Sequence, residues 1–208
     1  GYVITQRGNA QSLMEPLLST FAVDPVEVDG KLKLIPRGLS SVATIGEEEF
    51  GVMSEGEKPV VYQKKFGVRN ELPGRVDLSY FDLDRNYEQV TQTDIKQSSD
   101  FYNPTQISLP ITMTATEARQ TAARILDSAY FESDPVTIRL SHKYRYLSPT
   151  DPITLNPTTF WWDSGRFRII KIDETSAEGI TVTCVKDEIA SLTQIVTGSG
   201  GTGGGGTN

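Results

Sequence analysis

His142 is the only histidine in this 208-residue chain, so it is the one imidazole that could serve as a general base, and a histidine-rich metal site cannot form. It sits in Leu140-Ser141-His142-Lys143-Tyr144, where simple alternation puts it on a sheet surface. Catalysis there would need a nucleophile and an orienting group folded beside it. Cys184, the single cysteine, is the candidate nucleophile. It shares one face of an alternating run with Ile180 and Val182, so a buried small hydrophobe is its expected role. Asp77, Asp82 and Asp84 gather carboxylates suited to a hard cation, but the spacing lacks the glycine and terminal glutamate of a calcium-binding loop. The densest aromatic stretch runs from Phe160 through Trp161, Trp162, Arg166 and Phe167 to Arg168. Aromatics interleaved with arginines can stack on bases or sugars, and at a turn between strands they also cap a core or fill a subunit interface. Core and interface are the expected roles here. No glycine motif that cradles phosphate precedes a helix. The expectation is therefore a chain with no cofactor, no metal and no enzyme active site.

Bulk properties point the same way. A formal charge of -7 and a pI near 4.8 oppose nucleic-acid binding unless basic residues concentrate, and the longest basic cluster is the pair Lys64 and Lys65. Glu47, Glu48, Glu49, Glu55 and Glu57 lie just before that pair. One cysteine excludes an intrachain disulfide, which is compatible with a reducing cytoplasm. No run of eighteen apolar residues exists, so no membrane-spanning helix is expected and the chain should be soluble. The absence of an initial methionine and the glycine-rich end suggest a segment of a longer polypeptide, with residues 198–208 as a flexible linker.

These residues need elements to hold them. Leu13, Leu17, Leu18 and Phe21 recur at helical spacing, with Asn9 or Ser12 as the cap and Pro16 tolerated only in a first turn. Val26–Val28 and Leu32–Ile35 flank Asp29-Gly30 as a hairpin. Residues 42–45 and 60–66 carry weaker strand signals, with a short helix near Glu47–Val52 between them. In Gly74–Phe81, Val76, Leu78 and Tyr80 alternate with Arg75, Asp77 and Ser79, as a half-buried strand requires. Residues 82–105 are polar and breaker-rich and read as a long surface loop. Pro110 puts the strand around Gln106–Met113 at an edge. Thr114–Tyr130 reads as the clearest helix, capped by Thr114 or Thr116 with Glu117, its stripe formed by Ala118, Thr121, Ala122, Ile125, Leu126 and Ala129. Short strands follow at 136–140, 144–147, 153–155, 166–172 and 179–188.

The expected fold is α+β and predominantly β, with small β-barrel or sandwich-like domains and two principal helices. Residues 1–90 are read as an N-terminal α+β domain, 91–105 as a polar loop or linker, 106–197 as a helix followed by a barrel-like domain, and 198–208 as a glycine-rich tail. Strands from both sides of the loop can still join one sheet.

The segment Glu71-Leu72-Pro73-Gly74-Arg75-Val76-Asp77-Leu78-Ser79-Tyr80-Phe81-Asp82-Leu83-Asp84-Arg85-Asn86-Tyr87-Glu88 resembles the baseplate hub or tail-tip proteins of long-tailed bacteriophages and gene transfer agents. The likeness extends upstream to Ser12–Leu18 and Val28–Leu32, and downstream to Leu109–Ile111, Glu117-Ala118 and Ala122–Leu126. Tyr146–Ile153 is similar to the family's leucine-x-proline-glycine-aspartate turn, with Thr150 in place of the glycine, and Gly165–Ile172 to the strand that follows. The resemblance implies a structural virion component that joins the tail tube, through a tube or distal tail protein, to a host-facing fibre or spike. It implies a homo-oligomeric ring, commonly a trimer, that leaves a passage for DNA, assembled in the host cytoplasm and located in the virion tail. Arg75, Asp77, Tyr80, Asp82, Tyr87, Trp161, Trp162 and Arg166 are then architectural or interface residues. The alternative is a carbohydrate- or cell-wall-binding module exposing Trp161, Trp162 and Tyr144 in a groove, with a cell-wall hydrolase as the third reading.

Overall fold

The computed structural model describes residues 1–2, 4, 8–28, 30–51, 62–96, 103–159, 164–175 and 179–187. In chain order, helix α1 (Ala10–Phe21) leads into strands β1 (Val23–Val28), β2 (Lys31–Pro36), β3 (Ala43–Gly46), β4 (Tyr62–Lys64), β5 (Arg75–Asp82), β6 (Gln89–Ile95) and β7 (Pro104–Met113). Helix α2 (Ala115–Glu132) follows, then β8 (Val136–Leu140), β9 (Pro152–Asn156), β10 (Gly165–Thr175) and β11 (Gly179–Lys186). The fold is α+β and predominantly β, as read from the sequence. Among the described residues, no helix is long and apolar enough to cross a membrane.

Three sheets form. The first is the β1-β2 hairpin, which reverses at Gly30 with φ of 70°. A second sheet has the order β6-β5-β7, and α2 covers one face of it. Val76, Leu78 and Tyr80 point into that interface with Leu109, Ile111, Met113, Ala118, Ala122 and Leu126, forming one hydrophobic core. The third sheet has the order β3-β9-β10-β11-β8-β4 and holds a second core of Ile45, Ile138, Leu140, Ile153, Leu155, Ile169, Val182 and Cys184 among others. It curls about β10, which pairs with β9 over Gly165–Arg168 and with β11 over Phe167–Thr175, with an extra residue, Ile170, bulged between the paired Ile169 and Lys171. Phe50 then bridges to Leu140, and the Gly51 amide bonds to the Arg139 carbonyl at 2.9 Å, so the chain leaving β3 reaches β8 and draws the curl together. The sheets take strands from both sides of residues 91–105, the option the sequence left open: β5 pairs with β7, and β3 and β4 join β8 to β11.

Four sequence expectations need correction. Residues 82–105 are not one loop, because Gln89–Ile95 is strand β6. Its polar composition reflects a sheet edge whose outward face carries Thr91 and Thr93, while Val90 faces the core. Residues 144–147 form no strand: His142–Tyr144 is a 3₁₀ turn that carries Tyr144 into the barrel core. The helix expected at Glu47–Val52 is a 3₁₀ turn over Glu47–Glu49, and Val52 lies outside the described residues. Pro16 lies in the second turn of α1, where it supplies no N–H for Ser12; that residue is exposed, so water can satisfy its carbonyl.

Capping matches the sequence closely. Asn9 accepts the Ser12 amide at 2.7 Å, and Thr114 and Glu117 form a reciprocal capping box at the start of α2. Pro110 sits on β7, an edge strand, where Leu109, Pro110 and Ile111 lie opposite Tyr80 alone and the proline's missing donor is tolerated.

Thr150 has φ of 76°, in the left-handed region that a β-branched residue seldom adopts, at the position where the resembling turn carries glycine. Its amide bonds to the Ile169 carbonyl at 2.7 Å, which fixes the turn to β10, while its buried hydroxyl has no partner among the described residues. Thr150→Gly is expected to stabilise the fold by about 1 kcal/mol, the relief of left-handed strain of about 1–2 kcal/mol less the backbone entropy of glycine. Thr114→Ala should instead destabilise by about 1 kcal/mol through loss of the cap. Urea unfolding of the two variants checks both signs.

Candidate assembly site

The outward face of β5 is polar because alternation has spent Val76, Leu78 and Tyr80 on the core. Arg75, Asp77 and Ser79 line it with Thr91 of β6 and Gln106 and Ser108 of β7, around a shallow cavity of about 470 Å³. Asp77 accepts Arg75 Nε at 2.7 Å and Thr93 Oγ1 at 2.6 Å, and Ser79 and Thr91 share a hydrogen bond of 3.0 Å. Those bonds to Arg75 and Thr93 hold the Asp77 carboxyl below its usual range. A carboxylate held ionised by a local arginine and hydroxyl is a clasp across β5 and β6, not a poised proton donor.

At the far end of β5 the chain turns tightly into β6. Asp82 is almost fully buried; it accepts the Asp84 amide at 3.0 Å and lies 3.8 Å from Arg85 Nε. The Tyr87 amide bonds back to the Asp82 carbonyl at 2.9 Å, and the Leu83 amide to the Met113 carbonyl at 3.2 Å. Asn86 and Tyr87 both take left-handed backbone, with φ of 51° and 61°. This pinned turn exposes Tyr87 by 61% and Leu83 by 49%. Tyr80 lies beneath it, and burial together with the nearby Asp82 carboxylate pushes its phenol pKa up.

Arg166 belongs elsewhere, on β10, where it pairs with Asp187 at 2.7 Å with both side chains largely buried. Two residues along the strand, Arg168 reaches Asp24 at 3.0 Å and Glu132 at 2.7 Å. Arg37 meets the same two carboxylates at 2.8 and 2.9 Å. Asp24 from β1, Arg37 after β2, Glu132 at the end of α2 and Arg168 on β10 therefore form one closed ionic network. Beside it the buried Arg124 of α2 donates to the carbonyls of Ser19 and Thr20 in the last turn of α1, a cation placed where the helix dipole favours it. Burial, then Arg37, lower its pKa to about 10.

The six described candidates thus fall in three places: Arg75 and Asp77 on the polar face, Tyr80, Asp82 and Tyr87 at the turn, and Arg166 in the barrel wall. Trp161 and Trp162 lie outside the described residues. The network residues Asp24, Arg37, Arg124 and Glu132 were missed, because their partners are 13 to 144 positions away and nothing local marks them. Tyr144 is buried, which removes it from an exposed saccharide platform. His142 is exposed beyond one end of β8, whereas Cys184 pairs with Val136 at the other, about 13 Å along the strand at 3.3 Å per residue. Burial pushes the Cys184 thiol up to about 12, and it donates weakly to the Val136 carbonyl. Nucleophile and base are therefore apart. Among the described residues, no three histidine, cysteine, aspartate or glutamate side chains gather as a metal site.

A family model described as "Putative phage tail protein" matches residues 9–172. Among solved structures, the fold is similar to a chain in the virion of a native gene transfer agent particle, at 20% identity and a TM-score of 0.74, covering 89% of this chain and 41% of that one. A tail protein from Neisseria meningitidis has 13% identity and a TM-score of 0.60, with 92% and 60% covered. A prophage tail protein from Shewanella oneidensis has 12% identity and a TM-score of 0.58, with 91% and 55% covered. This chain therefore spans less than two thirds of each of those chains. No curated protein matches it.

Two experiments probe the charged groups. Asp187→Ala strands the Arg166 guanidinium in the barrel wall and should cost about 3–5 kcal/mol in urea unfolding, the penalty for breaking a buried pair from one side. Asp77 contributes stability fully above the ordinary carboxylate pKa of about 3.9, and that contribution is lost as pH falls through its lower folded value. Asp77→Asn should therefore have a shallower decline in melting temperature below about pH 4 than the parent.

Proposed function

This chain belongs to a family of phage tail proteins, and from that premise we propose that it is a hub or tip module joining the tail tube to a host-facing fibre or spike, arranged as a ring around the passage taken by DNA. At the coarser level it is a structural component of a phage-like tail. The likeness of fold across 89% of its length to a chain from an assembled gene transfer agent virion carries the finer reading. The three sheets also leave the strand edges that lateral contacts require, at β1, β2, β4 and β6. A formal charge of -7 suits a wall that DNA passes without being gripped.

In this reading the polar face at Arg75 and Asp77 and the pair at Arg166 are architectural, Tyr80 and Asp82 support the turn, and Tyr87, Trp161 and Trp162 meet neighbours. A trimer is the favoured ring, with a tube or distal tail protein on one side, a fibre or spike on the other, and assembly in the host cytoplasm before the particle is complete. Light-scattering mass across protein concentration, followed by imaging, tests it. A discrete mass, three chains in the favoured case, and closed rings are the expected result. A monomer at every concentration would overturn self-assembly, and saccharide binding by that monomer would favour the cell-wall-binding alternative.

A further inference from the structure

A groove of about 480 Å³ runs between the two helices, lined by Gln11, Leu18 and Ala22 along α1 and its cap, by Ile125 and Ala129 on α2, and by Pro25 of β1. Arg124 lines it too, and that cation has no counterion. Only 3% of Arg124 is exposed, and its Nη2 is spent on the carbonyls of Ser19 and Thr20. Its Nη1 is buried with no hydrogen-bond partner among the described residues. A buried donor left in that state costs free energy that an acceptor would recover.

The charges around Arg124 do not balance. Asp24 and Glu132 also line the groove, but Arg37 and Arg168 each contact both of them, so these four cancel. Arg166 is matched by Asp187. Arg124 is the cation left over. The remaining carboxylate that lines the groove, Glu15, is exposed and makes no ion pair among the described residues. Burial and the neighbouring Arg37 lower the Arg124 pKa, the response of a cation that lacks its anion.

This setting selects the ligand. A dianion such as phosphate needs a second free cation or a cluster of free amides, but Arg124 lies inside α2, where the amides are spent on the helix, and Asp24 and Glu132 would repel the extra charge. A single carboxylate asks for less and suits a guanidinium donor. The α1 wall from Gln11 to Ala22 is about 16 Å long at 1.5 Å per residue, and an extended chain at about 3.3 Å per residue covers it with about five residues. Length and lining therefore fit a short stretch of polypeptide better than a small organic acid. Two carbonyls already hold Arg124, so little ordering is left to be lost on binding.

Resting on the reading of this chain as a structural tail component, we propose that the groove between α1 and α2 binds an acidic, apolar segment of a neighbouring tail protein. The segment's carboxylate accepts from Arg124 Nη1, and its apolar side chains cover Leu18, Ala22, Ile125 and Ala129.

The test titrates the full chain, followed by NMR, with an acetylated and amidated pentapeptide carrying one glutamate between two leucines, with its glutamine counterpart, and with hexanoate. The glutamate peptide is expected to bind at least tenfold more tightly than the glutamine one, and to weaken as salt rises. Ser128→Glu keeps Arg124 and places a carboxylate four residues along α2 from it, on the lining of the same groove. That variant should stay folded and bind the glutamate peptide at least tenfold more weakly, because the site is then filled from within. Arg124→Met, where it folds, should lose the preference for glutamate. Equal affinity for the two peptides, no binding of either, full affinity in Ser128→Glu, or hexanoate binding as tight as that of the glutamate peptide would each overturn the proposal. Light scattering on the same samples reports the ring separately. A monomer that discriminates the peptides keeps the groove and sinks the ring, and a ring that ignores them does the reverse.

Discussion

Four side chains hold the parts of this molecule in relation to one another. Asp24, Arg37, Glu132 and Arg168 come from the hairpin, the segment after it, the end of α2 and the barrel wall, and each cation contacts both carboxylates. Such a network adds little net stability, because the desolvation of its charges offsets most of their attraction. What it supplies is geometry. The two hydrophobic cores are separate clusters, and apolar contact alone tolerates sliding; fixed donor and acceptor directions do not. Arg124 extends the same logic by seizing the last carbonyls of α1, so the first helix is anchored to the second.

Much of the fold follows from alternation and capping. Val76, Leu78 and Tyr80, and later Ile180, Val182 and Cys184, mark buried strand faces because every second side chain of a strand meets the same layer. Asn9 and Thr114 mark helix starts because orphan amides need a local acceptor. Gln89–Ile95 escaped notice because an edge strand with a polar outer face carries few apolar residues, although Thr91 and Thr93 are good strand formers. The ionic network was invisible for a different reason: a surface arginine and a buried, paired one have the same sequence neighbourhood, and only the folded chain reveals that Arg168 faces Glu132.

The candidate site shows the same division. Tyr87 and Asp82 were marked by the motif around them, but the left-handed backbone that presents Tyr87 depends on hydrogen bonds that no spacing predicts. Asp77 is one of three carboxylates whose type suits a hard cation, and it instead forms a clasp with Arg75 and Thr93, satisfied within its own sheet. Thr150 is the converse case. Its departure from the family's glycine was plain in the sequence, and the structure adds that the backbone keeps the shape glycine would have given it.

The curled sheet is discontinuous along the chain: β3 and β4 precede the β5–α2 unit, and β8 to β11 follow it. During synthesis, the first two strands emerge long before their partners exist. The β5–α2 unit, whose contacts lie almost wholly within residues 75–132, can fold first and bring the ends of the interrupted sheet towards each other. Closing the sheet across that long separation is the high-contact-order step, so it should set the folding rate. Until it is complete, β3 and β4 are unpaired edges on a nascent chain, and the three glutamates at Glu47–Glu49 beside β3 supply the like-charge repulsion that keeps such edges from pairing with one another.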